Sequence, residues 1–392
     1  MGTFSVGARR RAAPVRSWRD HSIGEVFDPR RNALNLVRLG LALLVLVAHS
    51  FTLSGNGYGF TFNGDHLGTW AVFCFFCLSG YLITGSRVRT RFMEYLSHRI
   101  GRIYPGFLVS LIVVTFGFAP IAYLKENGSL NGFLTTAPQP LHALVSNLGL
   151  SMREWGVAGT LADNPYPLAW NGSLWSLYYE FLCYLSIGAL LSIALLRRRP
   201  QLLLPLFGLS VLAVAHTSTT LGYFGGNGEV ARLVPLLPFF LGGAVVYAFQ
   251  DVIPLTWWSA IPAFAGFVAL VRLDGVWGPG AAAPLLTLAL LWLGKVLPCP
   301  GLLRRHDISF GTYVYAFPSQ QLVAALGGTA WGPYVHAALA LPSTLALATA
   351  SWLLIERPAM NAARGRHRPA AEPEPAPIGV PSATGARAEI LA

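Results

Sequence analysis

Residues 33–54 read ALNLVRLGLALLVLVAHSFTLS, twenty-two positions with only two ionisable side chains, Arg38 and His49. An apolar run of this length is enough to cross a bilayer as an α-helix, and it is too long for a signal-peptide core. No small-residue cleavage site follows it, so it reads as a retained span. The flanking residues 1–32 are polar and rich in arginine (Arg9, Arg10, Arg11, Arg16, Arg19, Arg30, Arg31), which predicts a cytoplasmic N-terminus.

The rest of the chain repeats the pattern. Of 392 residues, 54% are hydrophobic and only 11% charged, too few charges for a water-exposed globule. Aromatics at 12% exclude a disordered chain. Barrel strands would alternate over short segments, whereas these runs are continuous over about twenty residues. The expected fold is all-α: a polytopic bundle of about ten transmembrane helices. Further spans are expected near 67–86, 104–124, 174–196, 201–220, 231–250, 253–272, 277–297, 308–327 and 334–355. Both termini are expected in the cytoplasm, with an external loop at 125–173 and a disordered tail over 359–392.

Charge supports that alternation. Alternate loops carry Arg87, Arg89, Arg91, Arg99 and Arg102; Arg197, Arg198 and Arg199; Lys295, Arg304 and Arg305; and Arg357, Arg364, Arg366 and Arg368. The opposite loops hold only scattered charges, among them Lys125, Glu126, Arg153 and Asp163. The short Gln250–Pro254 turn has no base, so the register of the sixth and seventh spans is the weak point. The formal net charge of +11 is assigned to this topological bias rather than to nucleic acid, because no basic stripe or stacking platform accompanies it. Cys74, Cys77, Cys183 and Cys299 lie in or beside apolar runs and read as core thiols. Cys74 and Cys77 are too isolated for a zinc site, and no metal is expected.

Ionisable groups inside spans are costly and therefore informative. Arg38 and His49 are eleven residues apart, roughly 16 Å along a helix and within some 20° of one face. One helix thus presents a cation near one mouth and an imidazole deep toward the other side. Arg38 as a snorkelling anchor, and His49 as a polar side chain satisfied by a neighbour, stay open as readings. Glu180 lies about six residues into the fourth span, which predicts a depth close to that of His49, where a carboxylate would orient the imidazole. Pairing of Glu180 with an arginine or tyrosine is the other reading. In His98-Arg99-Ile100-Gly101-Arg102-Ile103-Tyr104-Pro105, Arg99 and Arg102 share a helical face and suit a polyanion such as a diphosphate. Topology-setting arginine is the plainer alternative there.

Together these residues resemble the acyltransferase 3 family of integral-membrane acyltransferases. The resemblance runs in order from Arg38 and His49, through Phe75-Phe76-Cys77-Leu78-Ser79-Gly80-Tyr81, to Arg99 and Arg102 with Tyr104-Pro105. It continues through Trp175-Ser176-Leu177 with Glu180 and Ser309-Phe310-Gly311-Thr312-Tyr313 with Pro318, and closes on Glu356-Arg357-Pro358. Relatives often carry a histidine where this chain has Ala316. The resemblance implies transfer of an acetyl or other short acyl group from cytoplasmic acyl-CoA, acetyl-CoA by preference, to a hydroxyl of an extracytoplasmic glycan or glycosylated small molecule. No permanently bound cofactor is expected, and the arginine-for-lysine and alanine-rich usage points to a bacterial source and hence the plasma membrane. Arg99 and Arg102 are expected to hold the coenzyme phosphates and Arg38 its arm. His49 is expected to act as general base or acyl carrier, the base being preferred, with Glu180 in support. A proton-coupled transporter using the same buried Arg, His and Glu is the competing class. Against it, the sequence has no paired repeat and no matching Gly/Pro-interrupted helices.

Overall fold

The computed structural model describes residues 21–28 and 31–365. It is mostly helical, and its strands among the described residues form one short antiparallel ribbon, Thr61–Phe62 against Asp65–His66. Each expected apolar run contains a helix. These are α1 (Leu34–Leu53), α2 (Leu67–Arg89), α3 (Phe92–Val113), α4 (Trp175–Leu190) and α5 (Leu203–Ala215). They continue with α6 (Leu237–Ala248), α7 (Trp257–Leu273), α8 (Ala283–Val296), α9 (Ser309–Ala325) and α10 (Gly332–Ser351).

Among the described residues, five helical stretches are long and apolar enough to cross a membrane: 34–53, 67–89, 92–127, 228–248 and 332–365. A sixth is reached if the pair Pro200–Ala215 and Thr217–Tyr223, bent by 101°, counts as one span. The others are shorter: 16 residues in α4, 17 in α7 and α9, and 14 in α8. At 1.5 Å per residue these reach about 21–26 Å, less than a bilayer's ~30 Å core. For α9 the reason lies in its position. It is buried continuously from Ser309 through Gln321, so it packs against protein on every side and can carry Ser309, Thr312, Ser319, Gln320 and Gln321 where a lipid-facing helix could not.

Three boundaries depart from the sequence expectation. The third span begins at Phe92 rather than near 104, so Arg99 and Arg102 lie on a helix and not in a loop. It then runs through a π-turn at Val114–Phe118 to Asn127. At the other end, α10 continues through a second π-turn, Trp352–Glu356, into a helix over Arg357–Gly365. The first residues of the expected disordered tail are therefore helical. The tail from 366 onward, and residues 1–20, lie outside the described residues.

The sixth and seventh spans are separate helices, and the baseless turn between them has a partner. Ile23 N–H donates to the Ile253 carbonyl at 2.9 Å, and Leu255 N–H to the His21 carbonyl at 2.8 Å. Ser22 and Pro254 form a bridge. The turn is covered by the chain's own N-terminal segment, where a solvated arginine would not fit.

The bundle closes where α2 crosses α6. A side chain added at Gly80 would strike the Phe240 carbonyl, and one at Gly243 would strike the Cys77 carbonyl. The two backbones thus touch, the small-residue contact that joins helices without a hydrophobic drive. Phe73 stacks on Phe239 nearby, with ring centroids 4.1 Å apart and 5° between planes. Residues 128–171 fold against the end of the third span, sharing with its Ala119, Ala122 and Tyr123 a small core that includes Phe133, Val157, Leu161 and Trp170. Their only regular element is the short helix Pro140–Ser146. Asn164 Nδ2 donates to Gln321 Oε1 at 2.8 Å, and Asn171 Nδ2 to the Val314 carbonyl at 2.8 Å, fixing the segment to α9.

Candidate active site

α1 and α9 run parallel, and three cavities follow their shared seam. At the N-terminal ends of both helices lies a pocket of about 400 Å³ lined by Arg38, Arg99, Arg102, Arg305, Arg357 and Arg364. Arginines from four helical segments far apart in sequence meet here. Against these six stand two carboxylates. Asp307 Oδ2 accepts from Arg38 Nη1 at 2.7 Å and from Arg102 Nη2 at 2.6 Å. Glu356 Oε2 lies 3.4 Å from Arg102 Nη1 and is fully buried. Four positive charges are left in excess, a setting for a ligand bearing several phosphates. Burial works against the Asp307 carboxylate, but Arg102, Arg38 and Ser309 overcome that and hold it at about 2. Arg99 Nε has no hydrogen-bond partner among the described residues.

Arg38 also borders a second, narrow chamber of about 30 Å³, with Phe75, Phe76, Ser176, Glu180, Phe310 and Tyr313. That volume holds about one water molecule. Glu180 is not beside His49 as the sequence reading expects. Its Oε1 accepts from Ser79 Oγ at 2.7 Å and from Tyr184 Oη at 2.5 Å. One helical turn separates Glu180 from Tyr184, and the crossing of α2 brings Ser79 to both, so the carboxylate is already satisfied at the chamber. Past it, Tyr313 Oη donates to the Ser173 carbonyl at 2.9 Å and lies 2.7 Å from Ser176 Oγ. Ser176 and Tyr313 line the chamber, and Gly172 and Trp175, close to Ser176 in the chain, line the third cavity.

That third cavity, about 680 Å³, opens at the far end of α1, beside the middle of α9. His49 forms part of its wall with His66, Tyr58, Trp155, Tyr166, Trp175, Arg232 and Phe317. The His49 ring meets Phe317 edge-on at 5.1 Å, and its Nδ1 has no hydrogen-bond partner among the described residues. Arg38 touches Asp307 at the start of α9 and His49 touches Phe317 midway along it. Both side chains therefore face the same neighbour.

A family model for an acyltransferase domain, acyltransferase 3, matches residues 31–353. The chain belongs to this family. This acyltransferase is similar to the O-acetyl transferase of Shigella phage Sf6, 27% identical over 344 residues, which cover 84% of this chain and 96% of the phage protein. It is also similar to nodulation protein 10 of Rhizobium leguminosarum bv. viciae, 28% identical over 379 residues, 87% of this chain and 95% of that protein. No solved structure matches it.

Within the acyltransferase, the motif residues divide by task. Phe75 and Phe76 line the narrow chamber, Ser79 holds Glu180, and Gly80 lets α6 approach. Ala316 is fully buried against Leu46 and Ala337. Sequence reading missed Asp307 and His66. Asp307 carried a faint signal, an acid among Arg304, Arg305 and His306 at the head of a motif. His66 carried none, because nothing local links a loop histidine to α1. Cys74, Cys77, Cys183 and Cys299 are free thiols, and no group of metal-ligating side chains occurs among the described residues.

Proposed function

We propose that this acyltransferase moves an acetyl group from acetyl-CoA to a hydroxyl of a carbohydrate on the other side of a bacterial plasma membrane. In this reading the arginine pocket faces the cytoplasm, with both termini, and the aromatic cavity faces outward. The observation that carries the proposal is a single helix, α1, whose Arg38 borders the arginine pocket and whose His49 borders the cavity at the opposite end.

Arg99, with Arg305, Arg357 and Arg364, takes the coenzyme phosphates. Arg38 and Arg102 are already held by Asp307 and Glu356, so they shape the pocket and exchange partners as the donor enters. The pantetheine arm follows the seam between α1 and α9. The chamber beyond Arg38 has room for one water, so the Phe75, Phe76, Phe310 and Tyr313 side chains have to part as the arm passes. Glu180 tethers α2 to α4 at that point and acts on the passage, not on His49.

At the outer cavity a neutral His49 accepts the proton of the acceptor hydroxyl as its oxygen attacks the thioester carbonyl. The new ester C–O bond forms, the C–S bond breaks, and the imidazolium returns its proton to the departing thiolate. The aromatic walls suit the faces of sugar rings, and the cavity lies within the size range of small-molecule sites. The name of one relative, an O-acetyl transferase, favours this chemistry over proton-coupled transport.

The test uses proteoliposomes loaded with labelled acetyl-CoA, with methyl glycosides outside. Label on the glycoside with the wild-type protein, and none with His49→Ala, is the expected result. Equal labelling by His49→Ala overturns the reading, as does label crossing the bilayer without a covalent product.

A further inference from the structure

The outer cavity holds a second imidazole. His66 ends the short ribbon and begins α2, where its Nδ1 accepts from the Thr69 backbone N–H at 3.3 Å. That bond commits the Nδ1 lone pair, so the proton of the neutral ring is carried on Nε2. Thr69 Oγ1 lies 3.3 Å from Nε2, a long contact that a better acceptor would replace. Burial lowers the pKa of His66 while Asp65 raises it, with a net decrease that favours the neutral ring.

The placement of the ring depends on Gly68. A Cβ there would lie 3.0 Å from two atoms of the His66 ring and 3.4 Å from Ala48 Cβ. Without one, His66 rests over the end of α1, its ring centroid 6.3 Å from that of His49 with 59° between planes. Tyr58 lies parallel to His66, 6.2 Å away. At this separation one oxygen can lie about 3 Å from a nitrogen of each imidazole, ordinary hydrogen-bond reach.

We infer that His66 is a second acceptor-binding imidazole: its Nε2–H donates to the acceptor hydroxyl oxygen while His49 takes that hydroxyl's proton. The arrangement fixes the hydroxyl from both sides and leaves one lone pair directed at the thioester. Its chemistry selects a neutral alcohol that can accept one hydrogen bond and donate another. The inference rests on His49 as the base.

His66→Asn and His66→Ser each retain an oxygen able to cap α2 and remove the ring. In the proteoliposome assay with methyl glycosides, both variants are expected to raise the acceptor KM about tenfold, the loss of one hydrogen bond. The KM for acetyl-CoA and the melting temperature should not move. A wild-type acceptor KM in both variants overturns the inference, even where His49→Ala is inactive. Activity retained by His49→Ala instead overturns the general-base reading itself. A second arm needs no turnover: with 15N-histidine-labelled protein in nanodiscs, His66 should show the Nε2-protonated tautomer. Adding the glycoside should shift the His66 and His49 resonances together, and an unmoved His66 resonance overturns the inference.

Discussion

The two cavities at the ends of α1 are built from opposite materials. The pocket at Arg38 is a concentration of charge, six arginines partly answered by Asp307 and Glu356. The cavity at His49 is walled by aromatic rings and two imidazoles, and its one arginine, Arg232, lies 3.6 Å from Glu229. Charge binds a polyanion with little demand on its shape, whereas rings and hydrogen bonds fix a neutral group in position. Under the proposed function, one end captures the donor and the other carries the chemistry.

The sharpest way to break this contrast is at His49. His49→Ala should lower kcat by roughly 100- to 10,000-fold, the span of a lost general base, while donor affinity measured by calorimetry stays unchanged. Weaker donor binding would merge the two ends into one site. At the charged end, Asp307→Asn leaves Arg38 and Arg102 short of a buried counter-charge and should destabilise the protein by about 3 kcal/mol, read by denaturant unfolding in detergent. Arg99→Ala should raise the acetyl-CoA KM roughly tenfold or more and leave the acceptor KM alone, the reverse of the His66 variants.

Acid separates the ends further. Asp307 is held at about 2, below an unfolded value near 3.9, so its ion pairs stabilise the fold fully above pH ~4. About 2 kcal/mol of that is lost as pH falls from ~4 through about 2, and the loss should be absent from Asp307→Asn in melting curves. The smallest effect is expected at Arg232. It and Glu229 are more than half exposed, so Arg232→Ala should alter stability by less than about 0.5 kcal/mol.

The relation between Arg38 and His49 was legible in the sequence because it is internal to one helix, where eleven residues return the chain to the same face. The shared face of Arg99 and Arg102 was legible for the same reason, even with the helix start misplaced by a dozen residues. Glu180 shows where that logic stops. Its depth along α4 could be counted, and Tyr184 one turn on pairs with it as the tyrosine reading allows, but its other partner depends on how α2 crosses α4, and Ser79 reached the carboxylate where His49 did not. The turn at 250–254 has no base because residues 21–24 cover it, and that partner lies more than two hundred positions away in the chain.

By itself the sequence determined a helical, apolar chain, the end at which its arginines gather, and the alignment of one cation with one imidazole. These follow from composition and from the helical repeat, which act locally. Only the tertiary structure decided that Asp307 pairs with two of the arginines, that Phe75, Phe76, Phe310 and Tyr313 line a narrow chamber beside Arg38, and that His66 joins His49. Those contacts bring together atoms on different elements, and they are set by close approaches such as Gly80 against Phe240 and Gly68 against Ala48, for which no periodicity in the chain gives a sign.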